Sequence, residues 1–422
     1  SSVETFDDLF SFLATHVDTS KITEVSRAEG TDPEDLPPLL DYSLSAIEAR
    51  QAFIRKHINN QNFSLPKPDD PEAYSGNIEG FAGFVTLPIG LCGPLKVKGQ
   101  YADGDFYIPL ATTEGALVSS VARGCQIITM SGGAEVRVVE DSLIRTPVFE
   151  FDTLSNMEKF ADWVSNNFSG IKKAADSTTK FGKLLTIEQY PIGTQMVLRF
   201  VYSTGDASGQ NMTTIATRSA IEYILNQYDG SIYDWFLESN LSGDKKANAV
   251  NFTRNRGKKV IAVTRIPAEI VKNFLHTTPE RIVRLGELTM VTSLQAHSYG
   301  VQAHYANTLA AVYIAAGQDP ACVSESACGM TYMKLIDGSL QISVTLPDIM
   351  VGTVGGGTRL PAQKKCLEIM QCAGPGNAKK LAEILAAAVL AGEISITGAM
   401  ASDEFTNAHA KYGRNGGLEK KN

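Results

Sequence analysis

No apolar run in this 422-residue chain approaches the twenty or so residues that a membrane-crossing helix needs; the longest, such as 385–392, lie between Glu383 and Glu393. A transmembrane segment is therefore not expected. The six cysteines (Cys92, Cys125, Cys322, Cys328, Cys366 and Cys372) form no Cys-x-x-Cys pair, and nothing at the N-terminus resembles a secretion signal. Free thiols in a reducing, cytoplasmic compartment and no bound metal are the expectation. Five Asn-x-Ser/Thr triplets, including those at Asn62, Asn167 and Asn240, would matter only in a secreted protein, and chance accounts for them. Positive charge is in deficit, with Lys+Arg 38 against Asp+Glu 46, and there is no basic tail. That excludes non-specific nucleic-acid binding, so an anionic ligand needs a local basic pocket. Two nucleotide signatures are missing as well. The glycine-rich stretch 351–358 has Thr358 where a P-loop requires lysine, and its glycines do not follow Gly-x-Gly-x-x-Gly.

What is present suits a globular protein of two or three domains, with 43% hydrophobic and 20% charged residues. Helical apolar spacing at 3–17 and 41–58, split by a proline-rich acidic stretch, predicts a helical entry region. From Asn77 onward glycines and prolines interrupt short β-type runs at 81–87 and 95–98. Residues 111–115 open a helix whose face is Leu117, Val118, Val121, Ala122 and Cys125, with Glu114 in its first turn. Between Arg137 and Leu237 strands near 148–151 and 184–202 alternate with helices near 154–164 and 211–227, which predicts a compact α+β insert. The last third reads as helices over 378–391 and 395–412, the second carrying His409.

Several stretches carry candidate chemistry, each with a bland alternative. Asp244-Lys245-Lys246 looks like a charged turn running into a buried strand. A lysine fixed beside a carboxylate suits oxyanion stabilisation, but such a turn can equally be solvated surface. Residues 204–211 place two glycines before a helix, where backbone N–H groups can hold phosphate or simply make a tight turn. Asp319 lies just past a small-residue helix, an unfavourable place for its charge unless a cation such as lysine pairs with it. Glu114 would need burial or a second carboxylate nearby to hold a proton, and His409 alone is compatible with a surface residue.

The order of these motifs is more specific than any one of them. Thr-Thr-Glu-Gly at 112–115, Gly-Asp-Ala-x-Gly-x-Asn at 205–211, Asp-Lys-Lys at 244–246, Ala-His-x-Ala-Asn at 303–307, Gly-Gln-Asp at 317–319, Gly-Thr-Val-Gly-Gly-Gly-Thr at 352–358 and His409 together resemble the 3-hydroxy-3-methylglutaryl-coenzyme A reductase family, in its class with animal and fungal catalytic portions. The resemblance implies an α+β protein with a helical N-terminal region (1–76), a large α/β acyl-CoA domain (77–137 and 238–422) and an inserted ferredoxin-like nucleotide domain (138–237). It implies two-step reduction of an acyl-CoA by NADPH in a homodimer or homotetramer whose active sites lie between subunits. Carried over, Lys245 stabilises the oxyanion, Asp319 orients Lys245 and couples to Glu114, Glu114 delivers a proton, and His409 protonates the departing thiolate. Lys180, Thr179, Asp206, Asn211, Gly355, Gly356 and Gly357 would face the nucleotide, and Arg137, Asp244, Lys246 and Asn307 the acyl group.

Departures from the family pattern concentrate at the acyl end. Glu238 and Glu287 stand where serine and lysine are usual, Ser208 replaces a methionine, and Asn415 replaces a phosphorylatable serine. Ser239, Ser242, Arg281 or Arg284 would have to compensate for the two glutamates, or the acyl group is less anionic. A CoA-ester hydrolase or lyase using Glu114 and His409 would bind no nicotinamide, and a non-catalytic acyl-CoA binder would not need this set of charged groups.

Overall fold

The computed structural model describes residues 36–402. The helix expected over 3–17, His409 and Asn415 lie outside that range. The described chain forms two compact units, one of residues 36–88 with Arg359–Ala362 and one of Ile89–Thr358 with residues 363–402.

In the first unit, helix α1 (Leu44–His57) starts at Ser43, whose side chain accepts from the Ala46 N–H, and ends in Arg55, Lys56 and His57, cations that suit a helix C-terminus. The strand expected at 81–87 does not form. Its carbonyls are taken by side chains of α1: Arg50 donates to Phe81 O at 2.9 Å and Gln51 to Ala82 O at 2.7 Å. A segment bonded in this way has no need of a partner strand.

The second unit is built on a mixed sheet. Strands β1 (Ile89–Lys98) and β2 (Asp103–Ala111) pair antiparallel, and β1 then runs parallel to the start of β3 (Ala134–Arg145). Helix α2 (Leu117–Met130) lies between β2 and β3 in sequence and buries Leu117, Val121, Cys125, Ile127 and Ile128. Beyond β3 the order continues through β8 (Gly257–Ile266), β11 (Ser339–Ile349), β10 (Gly329–Ile336) and the short β9 (Gly300–Val301).

Strand β3 is long enough to serve two sheets. Its first part pairs with β8, and its last residues, Leu143 to Arg145, pair with β6 (Gln195–Ser203). Around β6 gather β4 (Val148–Glu150), β5 (Lys183–Ile192) and β7 (Asp234–Phe236), covered by α3 (Leu154–Asn166), α4 (Phe168–Asp176) and α5 (Gln210–Gln227). This segment has a core of its own in Phe149, Phe160, Leu198, Phe200, Tyr202 and Ile221. Strand β3 runs on past residue 138, with a register shift against β8 between Val138 and Glu140, and the separate core begins only after Arg145.

Helices α6 (Ala268–Leu275), α7 (Pro279–Gln295), α8 (Tyr305–Ala315), α9 (Val323–Ser326) and α10 (Pro361–Ile369) precede one long helix, α11 (Ala378–Ala401), where the sequence suggests two. By length and hydropathy α11 could cross a membrane, but 89% of its most apolar window is buried inside the protein. It is the core helix. Its two interior carboxylates are satisfied locally: Glu383 accepts from the N–H groups of Gln100, Tyr101 and Ala102, and Glu393 from those of Ala303 and His304 and from the Thr331 hydroxyl.

Candidate active site

Lys245 Nζ lies 2.9 Å from Asp319 Oδ2, both side chains being partly exposed. The strand expected straight after the Asp-Lys-Lys turn is absent; short 3-10 turns at Asn240–Ser242 and Val250–Phe252 flank it, and β8 starts only at Gly257. Asp319 begins a new turn, accepting the Ala321 N–H at 3.0 Å, so its charge caps Pro320–Cys322 as well as meeting Lys245. Burial pushes the Asp319 carboxyl up, but the Lys245 ammonium and the Ala321 N–H outweigh it and hold the group below its ordinary range. The hydrogen bond to Asp319 raises the Lys245 pKa despite partial burial.

Three glycine-bearing loops pack together beside this pair. Gly317 and Gly357 approach so closely that a Cβ on Gly317 would sit 2.3 Å from Gly357 O, and a Cβ on Gly352 would sit 2.5 Å from Ser208 N. Only glycine permits these approaches. Asp206 O accepts the Thr353 N–H at 2.8 Å, and the Asp206 carboxylate accepts from Gly376 N and Ala378 N at the start of α11. Helix α5 starts at Gly209 with φ 81°, and Gln210 in its first turn donates to Cys322 Sγ, three residues past Asp319. Gly355 and Gly356 both take positive φ. The Thr353 hydroxyl is buried without a partner among the described residues, so the junction has unused hydrogen-bonding capacity.

Lys180 and Thr179 lie at the far end of α4. Gly182 packs on Met212, the residue after Asn211, so the 179–182 turn and the start of α5 form one end of the inserted segment. That turn offers a lysine and hydroxyls and no carboxylate, which suits a phosphorylated nucleotide.

Glu114 belongs to a different cluster. It does not lie in the first turn of α2, because Ala116 takes φ 70° and the helix begins at Leu117; Thr112 Oγ1 accepts the Glu114 N–H. Asn307 Nδ2 reaches both Glu114 oxygens, at 3.0 and 2.9 Å. These residues line a cavity of about 620 Å³ with His304, Arg123, Thr289 and Met400, and neither Lys245 nor Asp319 lines it. Within one chain, then, the site residues fall into two groups.

The acyl-end residues divide in the same way. Asp244 is held by two buried arginines, Arg145 Nη1 at 3.6 Å from Oδ2 and Arg256 Nη2 at 2.5 Å from Oδ1. Lys246 Nζ donates to Asp244 O at 2.9 Å. Arg137 is elsewhere on β3, donating to the carbonyls of Lys98 and Val136, whereas the Asp-Lys-Lys turn has beside it Arg256 and, also from β3, Arg145. Sequence reasoning passed over it. The available signal was a lone arginine inside the otherwise apolar 143–149 stretch, ahead of Thr146 and Pro147. Glu238 accepts the Thr146 hydroxyl at 2.7 Å and lies 3.9 Å from Arg145 Nε. Glu287 pairs with Arg284 on an exposed helix face, Arg281 donates to Ala401 O, and Ser239 to Thr146 O.

A family model for hydroxymethylglutaryl-coenzyme A reductase matches residues 46–414. The chain belongs to that family. The 3-hydroxy-3-methylglutaryl-coenzyme A reductase of Methanocaldococcus jannaschii is 43% identical over 379 residues, covering 87% of this chain and 93% of that protein. The Pyrococcus horikoshii reductase is 44% identical with 87% and 90% covered, and reductase 2 of Dictyostelium discoideum 39% identical with 93% and 74% covered. Among solved structures, the class II reductase from Streptococcus pneumoniae bound to NADPH superposes with a TM-score of 0.63 at 19% identity, covering 83% of this chain and 92% of that one. That likeness concerns the fold, a mixed α/β arrangement with the same course over most of both chains.

Proposed function

We propose that the protein reduces hydroxymethylglutaryl-CoA to mevalonate and free CoA with two NADPH, as its family name implies. The Lys245–Asp319 pair beside the glycine loops carries this reading. The thioester carbon must fall by two oxidation levels, so two hydrides and two protons enter as the carbon–sulfur bond breaks. Lys245 holds the negative charge that develops on the carbonyl oxygen, first in the thioester and then in the thiohemiacetal, and Asp319 keeps its ammonium aimed. NADPH supplies the hydrides when bound; Lys180 and Thr179 would meet its 2′-phosphate, and Asp206, Asn211 and residues 355–357 the rest of the nucleotide. Glu114, aligned by Asn307, delivers the proton to the aldehyde oxygen, and His409 protonates the thiolate.

The separation of Glu114 from Lys245 within one chain supports an active site assembled from two subunits of a homodimer or homotetramer, with the coupling of Asp319 to Glu114 made across the interface. The separate core of the inserted segment supports a ferredoxin-like nucleotide domain within a larger acyl-CoA domain. Six buried, unpaired cysteines support a cytoplasmic location.

One observation favours a second reading of the substrate. Glu238 and Asp244 both neutralise Arg145, and Lys246 remains beside Lys245 as a cation for an acyl carboxylate among the described residues at that end. Comparing hydroxymethylglutaryl-CoA with neutral acyl-CoAs of similar length separates the readings. Faster turnover of hydroxymethylglutaryl-CoA, with mevalonate formed, is expected; faster reduction of the neutral thioesters would assign the enzyme to a less anionic acyl group.

A further inference from the structure

Lys245 takes φ 55°, in the left-handed region that a residue with a Cβ enters only against steric strain. The surroundings must hold it there. Beneath the turn lies Arg256, fully buried, with Nη2 on Asp244 Oδ1 and Nη1 on Glu325 Oε1, each at 2.5 Å. The Glu325 side chain is fully buried too, and its Oε2 has no hydrogen-bond partner among the described residues. Neither residue lines the cavity beside Glu114, and no step above uses them. Buried ion pairs stabilise no better than apolar side chains of similar volume, so stability alone gives no reason for a charged pair at this place.

We propose that Arg256 and Glu325 are a positioning pair for Lys245, an inference that rests on reading Lys245 as the oxyanion donor. Arg256 fixes the Asp244 side chain next to Lys245, and Glu325 fixes Arg256. Glu325 follows Asp319 by six residues, so a single short segment supplies both the carboxylate that meets the Lys245 ammonium and the one that anchors Arg256 under the turn. The ammonium thereby needs no reorganisation when charge develops on the substrate oxygen.

The test replaces both members, Arg256→Met with Glu325→Met, which removes the charges and keeps the volume. The variant should keep the wild-type melting midpoint or exceed it, bind NADPH within threefold, show KM within a few-fold, and lose on the order of a hundredfold in kcat. Glu325→Gln alone, which retains an acceptor, should lose about tenfold and serves as the deciding variant if the double replacement does not fold. In a Lys245→Ala background the same changes should cost less than about threefold more, because they act through Lys245. Retention of more than about a third of kcat, or an equal cost with and without Lys245, would overturn the proposal. Near-normal turnover in Lys245→Ala alone would overturn the oxyanion reading and this inference with it.

Discussion

Lys245 owes its fixed charge to Asp319, and the two pKa shifts define where that charge persists. The lysine is raised above 10.5, so its contribution to stability is complete below that value and is lost as pH rises through the folded-state value beyond it. The aspartate is lowered below 3.8, so its contribution is present above 3.8 and is lost as pH falls through the folded-state value beneath it. The pair thus stays ionised from about pH 4 to pH 10, and any loss of turnover inside that range belongs to other groups. Both side chains are more than a third exposed, which limits the pair to about 0–1 kcal/mol of stability. Lys245→Ala should therefore leave the melting midpoint nearly unchanged and NADPH affinity intact, while kcat falls about a hundredfold to a thousandfold. At this scale the contacts of Lys245 with Asp319 and of Asn307 with Glu114 join residues that short local motifs single out. Arg145, marked only as a lone arginine in an apolar stretch, and Arg256 and Glu325 were passed over, since their ion pairs join residues in separate segments.

Among the elements, α2 and α11 show why boundaries escaped the sequence. Glycine and hydroxyl residues at 392–398 suggest a break in α11, but they serve close packing: a Cβ on Gly392 would meet Thr308 Oγ1 at 3.0 Å, and one on Gly398 would meet Leu275 Cδ2 at 2.5 Å. Tertiary contact overrides local propensity there. Where α2 crosses α11, a Cβ on Gly124 would lie 1.9 Å from Ala391 O, a backbone atom with little freedom to move. Helix propensity alone predicts that Gly124→Ala stabilises the protein by about 1 kcal/mol. Overpacking outweighs that gain, and urea denaturation should show a net loss of about 1–3 kcal/mol. A stabilised variant would mean that the two helices separate readily.

For the whole molecule, the alternation of apolar periods between 137 and 237 predicts an α+β insert, and residues from Phe149 to Ile224 bury a hydrophobic cluster of their own. Its edge was harder to see, since β3 supplies hydrogen bonds to both β8 and β6, and its register shift between Val138 and Glu140 comes before the residues that pair with β6. The distribution of Glu114 and Lys245 over two groups in one chain has a direct consequence for assembly. If the proposed site spans the two subunits of a dimer, mixing inactive Glu114→Gln and Lys245→Ala subunits under conditions that allow exchange should restore roughly a quarter of normal turnover, since half the dimers would be mixed and each would contain one intact site. A mixture as inactive as its parents would place each site within a single chain.

The reductase assignment itself is tested most directly by counting NADPH oxidised against CoA released from hydroxymethylglutaryl-CoA. Two NADPH per CoA, with a primary alcohol as the product, is the expected result. One NADPH per CoA with aldehyde accumulating, or CoA release without NADPH oxidation, would contradict it.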